Sequence, residues 1–240
     1  MDDSELALRS VASFGEVLAT VARWGVGPDA VIRRPGVVGG RMGPATSSPW
    51  LDAVVVIPGA VPPPDDPDLP HCVWTFADQV EGRVEYPEIA MPCMGLELAD
   101  VLDAVDPQVE VISPTLAEVG AANDRAYGID PLFGPVADRL RDDRIATHGL
   151  VVDDRIARVA MTFALGDDLG IHYVATEAAF RRRGLATRLL TAVMQRGRAD
   201  GMRTATLQAS PDGLPVYTRM DFREVGLLRA FIRPPADSDP

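Results

Sequence analysis

Val174-Ala175-Thr176-Glu177-Ala178-Ala179-Phe180-Arg181-Arg182-Arg183-Gly184-Leu185-Ala186-Thr187-Arg188-Leu189-Leu190 is the stretch whose reading decides the fold. A β-like run enters a turn, and the turn opens a helix. Leu185, Leu189 and Val193 fall on one helical stripe with Ala186, Leu190 and Met194 beside it. The helix is expected from Gly184 to about Asp200, stopped by Gly201. At a helix start the first N–H groups lack intrahelical partners, and the aligned peptide dipoles add about half a positive charge. An isolated Arg triplet reads as a solvated basic run. Here the strand before it, the helix after it and the small residues Gly184 and Ala186 point instead to a phosphate held by backbone amides.

Upstream of this turn, three β runs form a meander: Thr147 to Val152, Arg155 to Leu165 and Gly170 to Ala175. Asp153-Asp154 and Gly166-Asp167-Asp168 are the hairpin turns. Before them, Val109 to Ile112 reads as a strand. Thr115 to Tyr127 reads as a helix opened by Ser113-Pro114-Thr115. Downstream, Thr204 to Ala209 reads as a buried strand and Leu214 to Met220 as a short helix. Arg223 to Leu228 and Ala230 to Ile232 read as closing strands. The order describes an α/β fold, an α+β mixed sheet covered by helices.

Arg181-x-x-Gly184-x-Ala186 resembles the pyrophosphate motif of the GNAT superfamily of acyl-CoA N-acyltransferases. The resemblance runs over roughly Val109 to Pro234. Its second anchor is Leu207-Gln208-Ala209-Ser210-Pro211-Asp212-Gly213-Leu214-Pro215-Val216-Tyr217-Thr218-Arg219-Met220-Asp221-Phe222. It implies acetyl-CoA as co-substrate, with the amides of Arg182, Arg183, Gly184, Leu185, Ala186 and Thr187 around the pyrophosphate and Arg181 as the motif's first side chain. It also implies that the strand ending at Thr176 diverges from the one ending at Ala209. Backbone groups of Val174 and Thr176 would then pair with the pantetheine arm, and a strand N–H would polarise the thioester carbonyl. Ser210 is either a further cofactor contact or an N-cap for the next helix.

Tyr217 is the implied catalytic acid, since a departing thiolate needs a proton and a phenol of pKa about 10 can supply it. Its bland reading is a core tyrosine with a satisfied hydroxyl. The chain departs from the family pattern at Asp221, where Gly is usual before Phe222, and at Ala178, where Pro is common. His172 and Glu177 are the candidates for a general base, with a water chain as a third route.

Composition narrows the function classes. With 47% hydrophobic and 24% charged residues, the chain reads as folded and soluble. A net charge of −12 disfavours nucleic-acid phosphates and anionic membranes and suits a small-molecule or peptide amine of cationic character. All 23 basic residues are Arg, which removes a Walker-type loop and a lysine Schiff base. Cys72 and Cys93 fit a reduced, cytoplasmic protein better than a disulfide scaffold, and the acidic start Met1-Asp2-Asp3 does not read as a secretion signal. His71-Cys72 with Cys93 falls short of a ligand set, so no metal is expected. A homodimer is left open.

Residues 1–106 are expected to form a separate α/β unit without a cofactor motif, residues 107–234 the acyltransferase domain, and 235–240 a disordered tail. The boundary is placed near Val105-Asp106-Pro107. Leu6, Val11, Phe14, Leu18 and Val21 predict an amphipathic helix ending before Gly25-Val26-Gly27-Pro28. Ala53 to Ile57, Cys72 to Phe76 and Arg83 to Tyr86 read as strands, and Gly59 to Pro70 as a surface loop. Gly36-Val37-Val38-Gly39-Gly40-Arg41-Met42-Gly43 lacks dinucleotide spacing and reads as a flexible loop, with a nicotinamide site as a remote alternative. Segments around Ser48 to Val56 and Met91 to Leu98 resemble N-terminal regions of bacterial GNAT proteins, in which such a region is like an incomplete acyltransferase domain. The leading expectation is a bacterial-type N-acetyltransferase that moves an acetyl group to a primary amine by direct attack in a ternary complex. The competitor is a non-catalytic acyl-CoA-binding or regulatory protein.

Overall fold

The computed structural model describes residues 1–43, 50–64, 66–101, 110–127, 134–137 and 139–234. The boundary expected at Val105 to Pro107 and the tail 235–240 lie outside these residues.

The helix α1 spans Asp3–Gly25, with the Asp2 side chain accepting the Glu5 amide at its start and the Arg23 charge in its last turn. Leu6, Val11, Val17, Leu18 and Val21 are at most 4% exposed, each contributing roughly 1.5–3 kcal/mol of burial. Twelve strands follow in one sheet: β1 (Val31–Arg34), β2 (Val37–Gly40), β3 (Ala53–Val56), β4 (Cys72–Thr75), β5 (Val84–Glu85), β6 (Met91–Glu97), β7 (Val111–Ile112), β8 (Ile145–Val152), β9 (Arg155–Leu165), β10 (Asp168–Thr176), β11 (Thr204–Gln208) and β12 (Arg223–Ile232). Helices α2 (Leu116–Tyr127), α3 (Gly134–Ala137), α4 (Leu185–Ala199) and α5 (Leu214–Thr218) complete the described elements.

The strand order is β1-β2-β3-β4-β12-β6-β11-β10-β9-β8-β7, with β5 paired to β12. Strands from the two ends of the chain therefore alternate. β6 lies between β11 and β12, antiparallel to both. β12 pairs with β6 through Arg223 to Leu228 and with β4 through Arg229 to Ile232, so the two runs expected there are one strand with an irregularity near Val225. Strands from before residue 102 and from after residue 109 share this sheet.

α1 touches β2 and β3 as well as β6, β11 and β10, which are far apart in the strand order. The sheet must bend around the helix to do this. Glu16 of α1 pairs with Arg33 of β1 and with Arg144, just before β8, joining the sheet's two margins. α1 and α2 share a core with Ala53, Val55, Trp74, Val159, Met161 and Phe163. α4 covers the opposite face, on Met94, Ala160, Ile171, Ala205 and Leu207.

The glycine-rich segment expected to be a flexible loop contains β2, all four of whose residues are buried between β1 and β3. Its glycines serve close packing. A Cβ on Gly40 would stand 2.2 Å from the Ala22 Cβ, and one on Gly39 2.3 Å from the Ala53 carbonyl oxygen. A nicotinamide site there is removed by this pairing. The expected cap before α2 is Thr115 itself: its Oγ1 accepts the Glu118 amide while the Glu118 carboxylate accepts the Thr115 amide, a capping box.

Because β6 fills the gap between β11 and β12, a fragment of residues 107–240 should show no cooperative thermal transition by circular dichroism. Co-expression with residues 1–106 should restore it.

Candidate active site

β10 and β11 run parallel, and their ladder joins Asp168 to Thr204 through Ile171 to Leu207. Beyond that point the strands part. β10 turns to β9 alone, through Ala175–Val159 and Thr176–Arg158, while Gln208 pairs with Cys93 and the Ala209 amide donates to the Pro92 carbonyl. The cause of the divergence is a bulge in β10 between His172 and Ala175, with Tyr173 at φ 50°. His172 and Tyr173 both face the α1 side, as consecutive residues do only where a strand is bulged. Val174 and Thr176 follow on the α4 side, at the margin of the opening.

The turn after β10 starts with a 3-10 segment, Ala178–Phe180, which buries the Phe180 ring. Arg182 at φ 61° and Gly184 at φ 69° are both left-handed, and together they swing the chain into α4. Gly184 is the N-cap and supplies no side-chain hydrogen bond, and the first turn of α4 has no acidic residue. The first-turn amides therefore face the exposed turn with the helix dipole behind them. A Cβ on Gly184 would meet nothing within 4 Å, so this glycine is needed for its φ, and the space above the amides is open. Arg182, Arg183 and Thr187 are exposed there, Ala186 is half-buried and Leu185 anchors the helix in the core.

Arg181 is hydrogen-bonded within the chain. Its Nη2 donates to the Ala126 carbonyl at 2.8 Å, at the end of α2, and its Nε to the Thr176 carbonyl at 3.4 Å. It ties the turn to α2. Ser210 Oγ accepts the Gly213 amide at 3.2 Å, so the hydroxyl is used within the loop that leads into α5. Tyr217 on α5 is 7% exposed, packed edge-on to Phe222 with ring centroids 5.9 Å apart. Asp221 adopts φ 64°, the conformation a glycine would take, and so preserves the turn.

The two candidates for a general base are both engaged. Glu177 Oε1 accepts from Arg125 at 2.6 and 2.9 Å. His172 lies under α1, its Nε2 3.1 Å from Ser13 Oγ, and burial pushes its pKa down to about 4. It is neutral and sealed. Beside it, Ser10 Oγ donates to the Leu207 carbonyl, and Gln208 Nε2 donates to the Ser10 carbonyl and Oγ at 2.9 and 2.8 Å. α1 thus closes one face of the strand divergence with hydrogen-bonded polar side chains. At the paired end of β10, Thr204 and Thr206 donate to the Asp168 carboxylate at 2.6 and 2.7 Å, and burial raises this carboxyl to about 6.

Sequence reasoning missed Ser10, Ser13, Arg125, Arg155 and Arg158. Arg158 donates to Thr176 Oγ1 beneath the turn, while Arg155 and Arg183 both lie over the Phe180 ring. No motif spacing marks them, because they come from other elements. Three surface cavities of about 590, 440 and 540 Å³ lie elsewhere, along α1, beside β8, and between β8 and α4; none is lined by the turn. Among the described residues no cluster of His, Cys, Asp or Glu is placed to hold a metal, and no helix is long and apolar enough to cross a membrane.

The described strands form a mixed sheet whose two parallel strands part beside a helix start that no side chain caps. Residues 136–231 match the family described as the acetyltransferase (GNAT) domain. The fold is similar to a GCN5-related N-acetyltransferase from Kribbella flavida, at 17% identity over 97% of each chain with a TM-score of 0.64. It is also similar to a protein from the GNAT family from Novosphingobium aromaticivorans, at 19% identity over 89% of this chain and 94% of that one, with a TM-score of 0.53. A search of curated protein sequences found no match.

The buried histidine sets an acid limit on stability. Its folded-state pKa is depressed, so its contribution is complete above the unfolded value near 6.5 and is lost as pH falls toward about 4. Asp168 acts in the opposite sense, losing stability as pH rises from 3.8 through about 6. In His172→Asn, the urea-unfolding free energy should fall between pH 7.5 and 4.5 by about 2 kcal/mol less than in the wild type.

Proposed function

We propose that the protein is an N-acetyltransferase that transfers an acetyl group from acetyl-CoA to a primary amine by direct attack in a ternary complex. The observation that carries this reading is the divergence of β10 from β11 beside the uncapped start of α4. The residues present fit the co-substrate. Exposed first-turn amides of Leu185, Ala186 and Thr187, with Arg182 and Arg183 beside them, suit a pyrophosphate. The parted strand margins at Val174, Thr176 and Ala209 suit an extended arm that pairs with backbone groups.

In this reading the amine nitrogen attacks the thioester carbon, and the C–S bond breaks as the C–N bond forms. Tyr217 gives its proton to the departing thiolate. Since Glu177 is paired and His172 is sealed, the amine's own proton leaves to water along the open margin of the cleft. Most of the acceleration comes from holding the amine against the thioester and from a strand N–H at the carbonyl oxygen. The acceptor is assigned as a small-molecule or peptide amine of cationic character, in keeping with the net charge of −12, and the setting as cytoplasmic.

The engagement of both base candidates also supports a second reading, a protein that binds acyl-CoA without turning it over. Calorimetry with acetyl-CoA and a thiol-release assay over a panel of amines separate the two. Tyr217→Phe should lower kcat by about 100-fold while leaving acetyl-CoA affinity nearly unchanged. Ala186→Glu should weaken acetyl-CoA binding by about tenfold or more, because it sets a carboxylate where the phosphates would lie. Binding without thiol release on any amine favours the second reading, and no binding at all overturns both.

A further inference from the structure

The cavity of about 590 Å³ opens beside the last turns of α1, where Glu16 ties the sheet's two margins together. It has room for a small organic molecule, since ligand sites commonly hold about 300–1,000 Å³. One wall comes from α1 and the turn after it, with Ala19, Thr20, Arg23, Trp24 and Pro28. Val31 and Arg33 of β1 and the loop from Arg141 to Arg144 before β8 form the rest. Four guanidiniums and two carboxylates therefore line one cavity, in a chain of net charge −12.

Part of this charge is spent inside the protein. Arg33 and Arg144 share the Glu16 carboxylate, and Arg144 also donates to Asp142 at 2.7 and 2.9 Å. That bonding to Arg144, with the more distant charge of Arg23, holds the Asp142 carboxyl below the usual range. Three groups are left over. Among the described residues Arg23, Arg141 and Asp143 form no ion pair, and the hydrogen bond of Arg141 goes to the neighbouring Leu140 carbonyl at 2.9 Å. All three are exposed. The indole N–H of Trp24, a residue of the same wall, is buried and has no acceptor among the described residues. A buried donor left this way is costly, and a ligand rich in carboxylate oxygens brings acceptors to that wall. The apolar surfaces of Ala19, Trp24, Pro28 and Val31 suit a carbon skeleton better than an inorganic ion.

The free groups specify their complement. Two guanidiniums call for two carboxylates, whose oxygens match the guanidinium fork, and the Asp143 carboxylate calls for an ammonium. We infer that this cavity is a binding site for a small amino dicarboxylate, an acidic amino acid, with its carboxylates on Arg23 and Arg141 and its ammonium on Asp143. Such a ligand bridges α1 to the loop before β8, at the seam that Glu16 already ties. The site is separate from the β10–β11 opening, whose turn residues do not line it, and the inference does not rest on the acetyl-CoA reading.

The test is calorimetric, with L-glutamate and L-aspartate as probes. At least one should bind the wild type at one site per chain with a Kd below about 1 mM, and equally well in the presence of saturating acetyl-CoA. Glutarate and succinate, which lack the ammonium, should bind about fivefold or more weakly, as should L-glutamine and L-asparagine, which lack the second carboxylate. Arg23→Gln and Arg141→Gln should each weaken the acidic amino acid by about fivefold or more and narrow its advantage over the amide. Asp143→Asn should remove the advantage over the plain dicarboxylate. Arg219→Gln, which removes an exposed arginine charge after α5, should keep the wild-type affinities, and far-ultraviolet circular dichroism should show all variants folded. The inference is overturned if neither probe binds, if inorganic phosphate or the plain dicarboxylate binds as tightly, if acetyl-CoA displaces the probe, or if Arg219→Gln loses as much affinity as Arg23→Gln and Arg141→Gln. Failure of acetyl-CoA itself to bind would count against the proposed function and leave this site standing.

Discussion

Burial of α1 is the constraint on which the rest of the structure depends. A helix with twelve buried residues cannot be covered by one flat sheet, which contacts a helix along a single stripe. Here it is covered from more than one side. Gly15 lets the helix approach Val38, Gly40 accepts Ala22, and Gly95 accepts Leu6, so strands from separate parts of the sheet come close to its backbone. The hydroxyl groups this buries are bonded: Ser10 to Leu207 and Gln208, Ser13 to His172, and Thr20 to Arg144. Leaving any one of these groups unpaired would cost about 1–3 kcal/mol, so the helix has one register in which it fits.

That register also shapes the cleft. Ser10 and Ser13 sit where the β10–β11 ladder ends, and their hydrogen bonds hold Leu207, Gln208 and His172 on the α1 side. With His172 fixed there, the bulge at Tyr173 puts the next residues on the other face and carries β10 away from β11. β6 holds β11 on its far side through Cys93 and Pro92. The opening therefore depends on two segments of the first hundred residues, one in the sheet and one beneath it. Neither bears a phosphate turn.

What could be read from the sequence follows the range of the interactions. The meander β8 to β10, the helix α4 and its left-handed entry are local, and alternation, the Asp153-Asp154 and Gly166 turns and the Gly184 position reveal them. β2 and β6 escape because their sequences contradict strand patterns. Val37-Val38-Gly39-Gly40 trades side chains for a close helix approach, and Met91-Pro92-Cys93 carries a proline near the start of a central strand. The placing of β6 between β11 and β12 depends on pairing across more than a hundred residues, which no spacing encodes. The partners of the two base candidates were hidden for the same reason. His172 meets Ser13 and Glu177 meets Arg125, partners supplied by other elements.

Arginine usage shows how one residue type takes opposite roles according to what surrounds it. Arg181 belongs to the motif by position, and its guanidinium donates to the Ala126 and Thr176 carbonyls, which ties the turn to α2 and to the end of β10 at once. Arg158 is buried under the same turn, against Thr176. These two brace the turn, and the backbone amides can then be presented without side-chain help, since Gly184 leaves the space above them open. The exposed charge falls to Arg182, Arg183 and Arg155. A turn built this way separates holding from attracting: the guanidiniums of Arg181 and Arg158, hydrogen-bonded within the chain, set the geometry, and those of Arg182, Arg183 and Arg155 set which anion is drawn to an otherwise acidic molecule.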